Sequence, residues 1–249
     1  MKKIIALTLA VLMIVCCAAG CGKKNNTLTM ATNAEFPPYE YYEGQTVTGI
    51  DVEIAQLIAN EIGMELVIVD TDFDAVIPGV QGGKYDMGMS GITITEERKE
   101  QVCFTVPYTT AVQAIIVPEG SPITCADDLF GDGNYTIGVQ TGTTGDLYST
   151  WDIEDKGLGT VSRYNKGADA VAALVAGKID CVIIDNEPAK AFAEANPGLI
   201  VLDTAYAVEE YAICYGKNNT ELGEKIDAAL QKLIASGEVQ AIIDKYITD

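Results

Sequence analysis

Residues 49–91 read GIDVEIAQLIANEIGMELVIVDTDFDAVIPGVQGGKYDMGMSG, and this stretch decides the fold. Ile50, Ile54, Leu57, Ile58 and Ile62 recur at helical spacing and Gly63 supplies a stop, so a helix is expected from Gly49 to Gly63. Glu65 to Val69 is rich in branched side chains and predicts a strand. Asp74 is placed to cap a short helix from Ala75 to Gln81, with Pro78 near the first turn, where a missing amide costs least. Tyr85 to Ser90 predicts the next strand, and Leu28 to Ala31 alternates ahead of the whole series. Strand, helix, strand, helix, strand implies a mostly parallel sheet with helices on both faces.

The series then restarts. Gln113 to Val117, Thr136 to Val139, Val161 to Tyr164 and Ile179 to Ile184 predict strands; Gly145 to Asp155, Ala168 to Ala176 and Pro188 to Asn196 predict helices. Ile200 to Leu202 reads as an edge strand and Tyr211 to Tyr215 carries the chain onward to helices over Glu221 to Ala235 and Glu238 to Tyr246. Gly83-Lys84-Tyr85-Asp86 and Gly177-Lys178-Ile179-Asp180 are matching turns 94 residues apart, each leading into a buried strand. Two lobes of one α/β logic follow; convergence on common turn chemistry is the competing explanation.

The chain has 249 residues, 48% apolar and 21% charged, enough for a substantial core. Sixteen basic against 36 acidic side chains give a net charge of -20, which argues against a nucleic-acid binder. The absence of histidine excludes His-based triads and His-ligated zinc, while carboxylate chemistry stays open. Met1-Lys2-Lys3 and the apolar run Ile4 to Val15 read as a signal peptide over residues 1–20, too short for a membrane span of about 20 residues. Its ending, Ala18-Ala19-Gly20-Cys21, resembles the lipobox of bacterial lipoproteins, with Ala18 where Leu is preferred. The resemblance implies lipidation of Cys21 and a polar tether over residues 21–26; ordinary secretion after Ala19 or Gly20 is the alternative. Processing leaves 14 basic and 36 acidic side chains, a charge of -22. A lipid tether would hold such a body at an anionic membrane that otherwise repels it. Cys103, Cys125, Cys181 and Cys214 lack CxxC spacing, so neither a redox motif nor a metal site is suggested, and disulfides or free thiols both stay open.

Ligands of open parallel sheets bind beyond the carboxyl ends of the strands. That rule collects Asn33, Glu35, Phe36, Asp72, Phe73, Gly91, Ile92, Thr93 and Arg98 in the first lobe. In the second it collects Gln140, Thr141, Gly142, Thr143, Thr144 and Asp185. One cation, one deep acid, two rings and several hydroxyls and amides complement a free α-amino acid. Arg98 can clamp a carboxylate through two charge-assisted bonds, or be a surface residue of Glu96-Glu97-Arg98-Lys99-Glu100. Asp185 can meet a ligand ammonium, or cap the helix near Pro188. Phe36 and Phe73 either flank a ligand or fill the core. Gly142-Thr143-Thr144-Gly145 can present amides and hydroxyls to an anion but lacks the Lys-Ser/Thr of a phosphate loop, so no nucleotide cofactor is implied.

Asn33-Ala34-Glu35-Phe36-Pro37-Pro38-Tyr39-Glu40, Gly49-Ile50-Asp51-Val52-Glu53, Asp72-Phe73 and Gly91-Ile92-Thr93-Ile94-Thr95-Glu96-Glu97-Arg98 resemble the solute-binding proteins of polar amino-acid ABC importers, family 3. Gln140-Thr141-Gly142-Thr143-Thr144-Gly145 and Asp185-Asn186-Glu187-Pro188 continue the likeness, which spans residues 28–247. It implies a periplasmic-binding-protein-like (type II) clam shell: lobe 1 over 27–108 plus 211–249, lobe 2 over 112–207, hinges near 108–112 and 207–211. It also implies Arg98 on the ligand carboxylate, Asp185 on the ammonium, and Thr93, the Gly91 backbone and the Thr144 amide as further donors or acceptors. Phe36 and Phe73 would be walls, and Asn33 and Gln140 would read the side chain. Hinge closure without chemistry, from a lipid-anchored monomer that delivers its amino acid to an ABC permease with ATPase subunits, completes the expectation. Related sequences include cyclohexadienyl dehydratases, and sensor domains reuse the shape, so an enzyme or an extracellular sensor input is the rival. Basic or polar ligands come first, with cystine open and the inward or outward facing of Glu35 undecided.

Overall fold

A computed structural model describes residues 26–248 of the chain. The signal peptide expected over 1–20, Cys21 and nearly all of the expected 21–26 tether lie outside the described residues.

In chain order the first elements are β1 (Thr27–Thr32), β2 (Glu35–Phe36), β3 (Glu40–Glu43), β4 (Thr46–Thr48), α1 (Ile50–Glu61), β5 (Glu65–Asp70), α2 (Phe73–Gln81), β6 (Met87–Gly88), α3 (Glu96–Gln101) and β7 (Cys103–Phe104). Next come β8 (Thr109–Pro118), β9 (Thr136–Gln140), α4 (Thr144–Ser149), β10 (Thr160–Tyr164), α5 (Gly167–Val175), β11 (Cys181–Asp185) and α6 (Asn186–Ala195). Then come β12 (Leu199–Val201), β13 (Ala207–Tyr211), β14 (Cys214–Tyr215), α7 (Thr220–Ser236) and α8 (Glu238–Tyr246), with a 3-10 turn at Ala126–Phe130 and a π-helical turn at Thr150–Glu154 besides.

Two α/β lobes result, each built on one sheet. The first sheet has the order β5-β1-β6-β14-β7, and the second has β10-β9-β11-β8-β12 with β13 also on β8. In each, three parallel strands (β5-β1-β6 and β10-β9-β11) are continued by antiparallel ones. The chain passes from the first sheet to the second between β7 and β8 and returns between β13 and β14. The crossing strands pair with each other, from Ala207 opposite Gln113 to Tyr211 opposite Thr109. The strand expected over Tyr211 to Tyr215 is therefore two strands. Its break at Ala212–Ile213 is where the backbone leaves one sheet and joins the other.

The apolar stripe of α1 does what its spacing predicts. Ile50, Ile54 and Ile58 are fully buried beside Leu28, Met30 and Met87 of the first sheet and Ile226 and Leu230 of α7. Each such side chain contributes about 1.5–3 kcal/mol of burial free energy. The second lobe closes over Ile115, Val117, Ile137, Val139, Cys181 and Ile183. Gly49 seats the start of α1: its φ is 127°, and an added Cβ would overlap the Tyr39 carbonyl oxygen. The amides of Ile50 and Asp51 then donate to the carbonyls of Pro38 and Tyr39 at 3.1 and 3.0 Å.

Two boundaries near the cleft differ from the sequence expectation. Helix α2 begins at Phe73 with Asp72 at its N-cap, not at Ala75 with Asp74, so Phe73 joins the first helical turn. The strand expected over Tyr85 to Ser90 narrows to Met87–Gly88, and the chain from Met89 onward leaves the ladder to wall the cleft. The four cysteines beyond the tether are free thiols, Cys181 and Cys214 buried.

Candidate functional site

Arg98, one of two arginines in the chain, sits on the six-residue helix α3, whose N-cap Thr95 side chain accepts from its backbone amide at 3.1 Å. That short helix turns the side chain inward, and only 4% of the residue is exposed. The guanidinium donates to the Thr93 carbonyl at 2.8 Å and, across the cleft, to the Gly142 carbonyl at 3.0 Å. Its carbon lies 5.6 Å from the Phe73 ring centre. Among the described residues it forms no ion pair with a carboxylate. Burial lowers its pKa, opposed first by the charge of Glu209 and more weakly by Asp185. The surface reading of Arg98 is thereby set aside.

Asp185 occupies the N-cap position of α6, yet its side chain makes no capping bond. It accepts instead from the Tyr211 hydroxyl and is 6% exposed. Burial, reinforced by the charge of Glu209, pushes its pKa up to about 7. Among the described residues it forms no ion pair, and a buried acid of this kind lining a cavity is a group that awaits a cation.

One cavity is lined by Arg98 and Asp185 together with Asn33, Phe36, Phe73, Gly91, Thr93, Gln140 and Thr144. All nine residues given ligand roles in the sequence reading thus meet at one place, whereas Asp72, Ile92, Thr141 and Gly142, also collected by the strand-end rule, do not line the cavity. Glu35 does not line it; its carboxylate pairs with Lys166 at the rim. The Gly91 amide is already used, donating to Asp51 Oδ2 at 2.9 Å, so the ligand-facing capacity of Gly91 is its carbonyl. The Thr93 hydroxyl donates to Glu209 Oε2 at 2.9 Å. Thr144, the first residue of α4, keeps an amide without an intrahelical acceptor.

The far end of the cavity is joined by two amides. Gln140 Nε2 donates to Asn33 Oδ1 at 2.9 Å and to the Asn165 carbonyl at 3.1 Å, while Asn33 Nδ2 donates to the Thr71 carbonyl at 3.0 Å. Every partner there is an oxygen, which fixes both amide orientations. Both N–H groups of Gln140 are engaged, and the oxygens remain as acceptors.

Thr143, also collected from the sequence, lines the cavity as well; Glu40 and Ser90 line it too and escaped the sequence reading, although Ser90 adjoins Gly91. Glu40 follows a Pro-Pro-Tyr turn and carries no local signal. Its carboxyl accepts from Ser90 Oγ at 2.6 Å. Burial raises both this acid and its neighbour Asp51, Asp51 to about 6 and Glu40 well above its usual range.

Two α/β lobes crossed twice by the chain, with an unpaired guanidinium and an unpaired carboxyl in the cleft between them, define a solute-binding protein. The chain belongs to the bacterial extracellular solute-binding proteins, family 3, whose description matches residues 28–249. It is 31% identical over 257 residues to the arginine-binding extracellular protein ArtP of Bacillus subtilis (strain 168), covering 100% of this chain and 99% of that protein. Among solved structures it resembles an ancestral arginine-binding protein bound to arginine, with a TM-score of 0.83, 35% identity, and coverage of 89% of this chain and 98% of the other. The same comparison with an ancestral arginine-binding protein bound to glutamine gives a TM-score of 0.83, 34% identity, and coverage of 90% and 99%.

Proposed function

We propose that the cleft captures a free L-α-amino acid whose side chain donates hydrogen bonds, with arginine first and glutamine second. The observation that carries this reading is the pair of buried, oppositely charged groups, Arg98 and Asp185, in one cavity and without ionic partners. A zwitterion satisfies both: its carboxylate on the Arg98 fork and the Thr144 amide, its ammonium on Asp185 and the Gly91 carbonyl. Phe36 and Phe73 flank the aliphatic stem. Gln140, with both N–H groups engaged, and Asn33, with one of its two engaged, offer their oxygens to a guanidinium or amide. The arginine named in the similar proteins above supports the same choice.

Binding proceeds by hinge closure without bond-making. Lobe 1 comprises residues 27–108 and 211–249, lobe 2 residues 112–207, and the paired segments near 108–112 and 207–211 act as hinges. The closed monomer presents its cargo to an ABC permease with ATPase subunits, from the outer face of the membrane, where acylated Cys21 and the 21–26 tether hold it. An enzyme would need a poised acid or base beside a bond to be broken; here the charged groups are balanced by the two ends of one ligand. Denaturing the purified protein and identifying the co-released small molecule by mass spectrometry tests the reading. Arginine or glutamine is expected. Release of no amino acid, together with no thermal stabilisation by any of them, would refute it.

A further inference from the structure

Glu209 lies on β13, 4% exposed, and is not among the residues that line the cavity. Its Oε2 accepts two hydrogen bonds, from Thr93 Oγ1 at 2.9 Å and from Gln113 Nε2 at 3.1 Å. The same Gln113 nitrogen donates to Thr144 Oγ1 at 3.3 Å. A carboxylate has no proton to give, so the directions of these bonds are determined. Thr93 must direct its single hydroxyl proton at Glu209. Gln113 must turn its nitrogen toward Glu209, and its second N–H then reaches Thr144. The backbone holds this arrangement in place: Thr93 is bridged to Tyr211, and Glu209 stands opposite Ala111 in the β13–β8 ladder.

The consequence at the cavity is that Thr93 shows the ligand lone pairs only. We propose that Glu209 is a positioning residue that, by taking the Thr93 hydroxyl proton onto itself as a hydrogen bond, makes Thr93 an acceptor for the ligand ammonium. The assignment rests on the amino-acid reading of the cleft. It explains how a site with one guanidinium and one acid admits a zwitterion in one orientation.

The test is a calorimetric comparison of L-arginine with its des-amino analogue, which keeps the carboxylate and guanidinium and lacks the ammonium. In E209M, which has similar length and no acceptor, arginine should bind about tenfold more weakly, while the analogue changes by less than about twofold. Retained binding of the analogue also shows that the variant is folded. E209Q leaves an acceptor oxygen in the same place and should restore the arginine-to-analogue ratio to within about threefold of the wild type. Because Glu209 acts through Thr93, E209M should weaken arginine by less than about twofold when added to T93V. Equal weakening of both ligands by E209M, or an E209Q that behaves like E209M, overturns the assignment. Wild-type protein that gives no heat with arginine overturns the underlying reading of the cleft, and it does so before any variant is made.

Discussion

Lowering the pH should empty the cleft, and the size of the effect follows from Asp185. Burial, with the charge of Glu209 behind it, raises this carboxyl from an ordinary 3.8 to about 7. That displacement corresponds to about 4 kcal/mol between its two protonation states, an order-of-magnitude figure. Because the folded value is raised, the group stabilises the ligand-free protein fully below its ordinary value, and that contribution is lost as pH rises through about 7. Ligand binding has the opposite dependence. The ammonium needs Asp185 ionised, so binding at or below about pH 7 must expel a proton. Between about pH 7.5 and about pH 5.5 the ionised fraction falls about 25-fold, which predicts an affinity loss of about 2 kcal/mol. Titration calorimetry with L-arginine in buffers of different ionisation enthalpy measures both the affinity and the released proton. In D185N the pH dependence should vanish, leaving weak binding throughout. An affinity that stays flat across this range in the wild-type protein would show that Asp185 does not hold the ammonium.

Replacing Arg98 with Met should cost at least about 100-fold in arginine affinity by calorimetry, since the ligand carboxylate would be buried without a cation. R98K should recover only part of it, because an ammonium cannot reproduce the fork that reaches Thr93 and Gly142. L-Glutamate and L-aspartate should give no thermal stabilisation where glutamine and arginine do, because the Asn33–Gln140 end offers acceptors; a rise in melting temperature with glutamate would refute that orientation of the amides. G49A should lower the melting temperature by several degrees, given a φ of 127° and the overlap of its Cβ with the Tyr39 carbonyl.

Much of the fold was legible because it is periodic. The stripe Ile50, Ile54, Ile58 and the branched run at Glu65 to Val69 each read as one element, and the structure builds them there. The turn glycines of the internal echo, Gly83 and Gly177, have φ of 73° and 66°, so the repeat marks a true conformational need. Less legible was any element whose limits depend on a partner distant in sequence. Tyr211 to Tyr215 looks like one apolar strand, yet the two sheets divide it, and Phe73 enters α2 although Asp74 looks like a cap.

The sequence by itself determined the two-lobed α/β architecture and the roster of residues beyond the strand ends, because hydrophobic period and turn chemistry are local properties of a chain. It also determined a cleft chemistry of one cation, one acid and two rings. Only the tertiary structure decided that Arg98 points inward, that Asp185 leaves its helix uncapped, and that Glu40 lines the ligand space while Glu209 does not. Those outcomes depend on burial and on which hydrogen-bond partner lies within 3 Å or so, and such contacts join residues as far apart as Thr93 and Glu209. No window of sequence contains both ends of a bond of that kind.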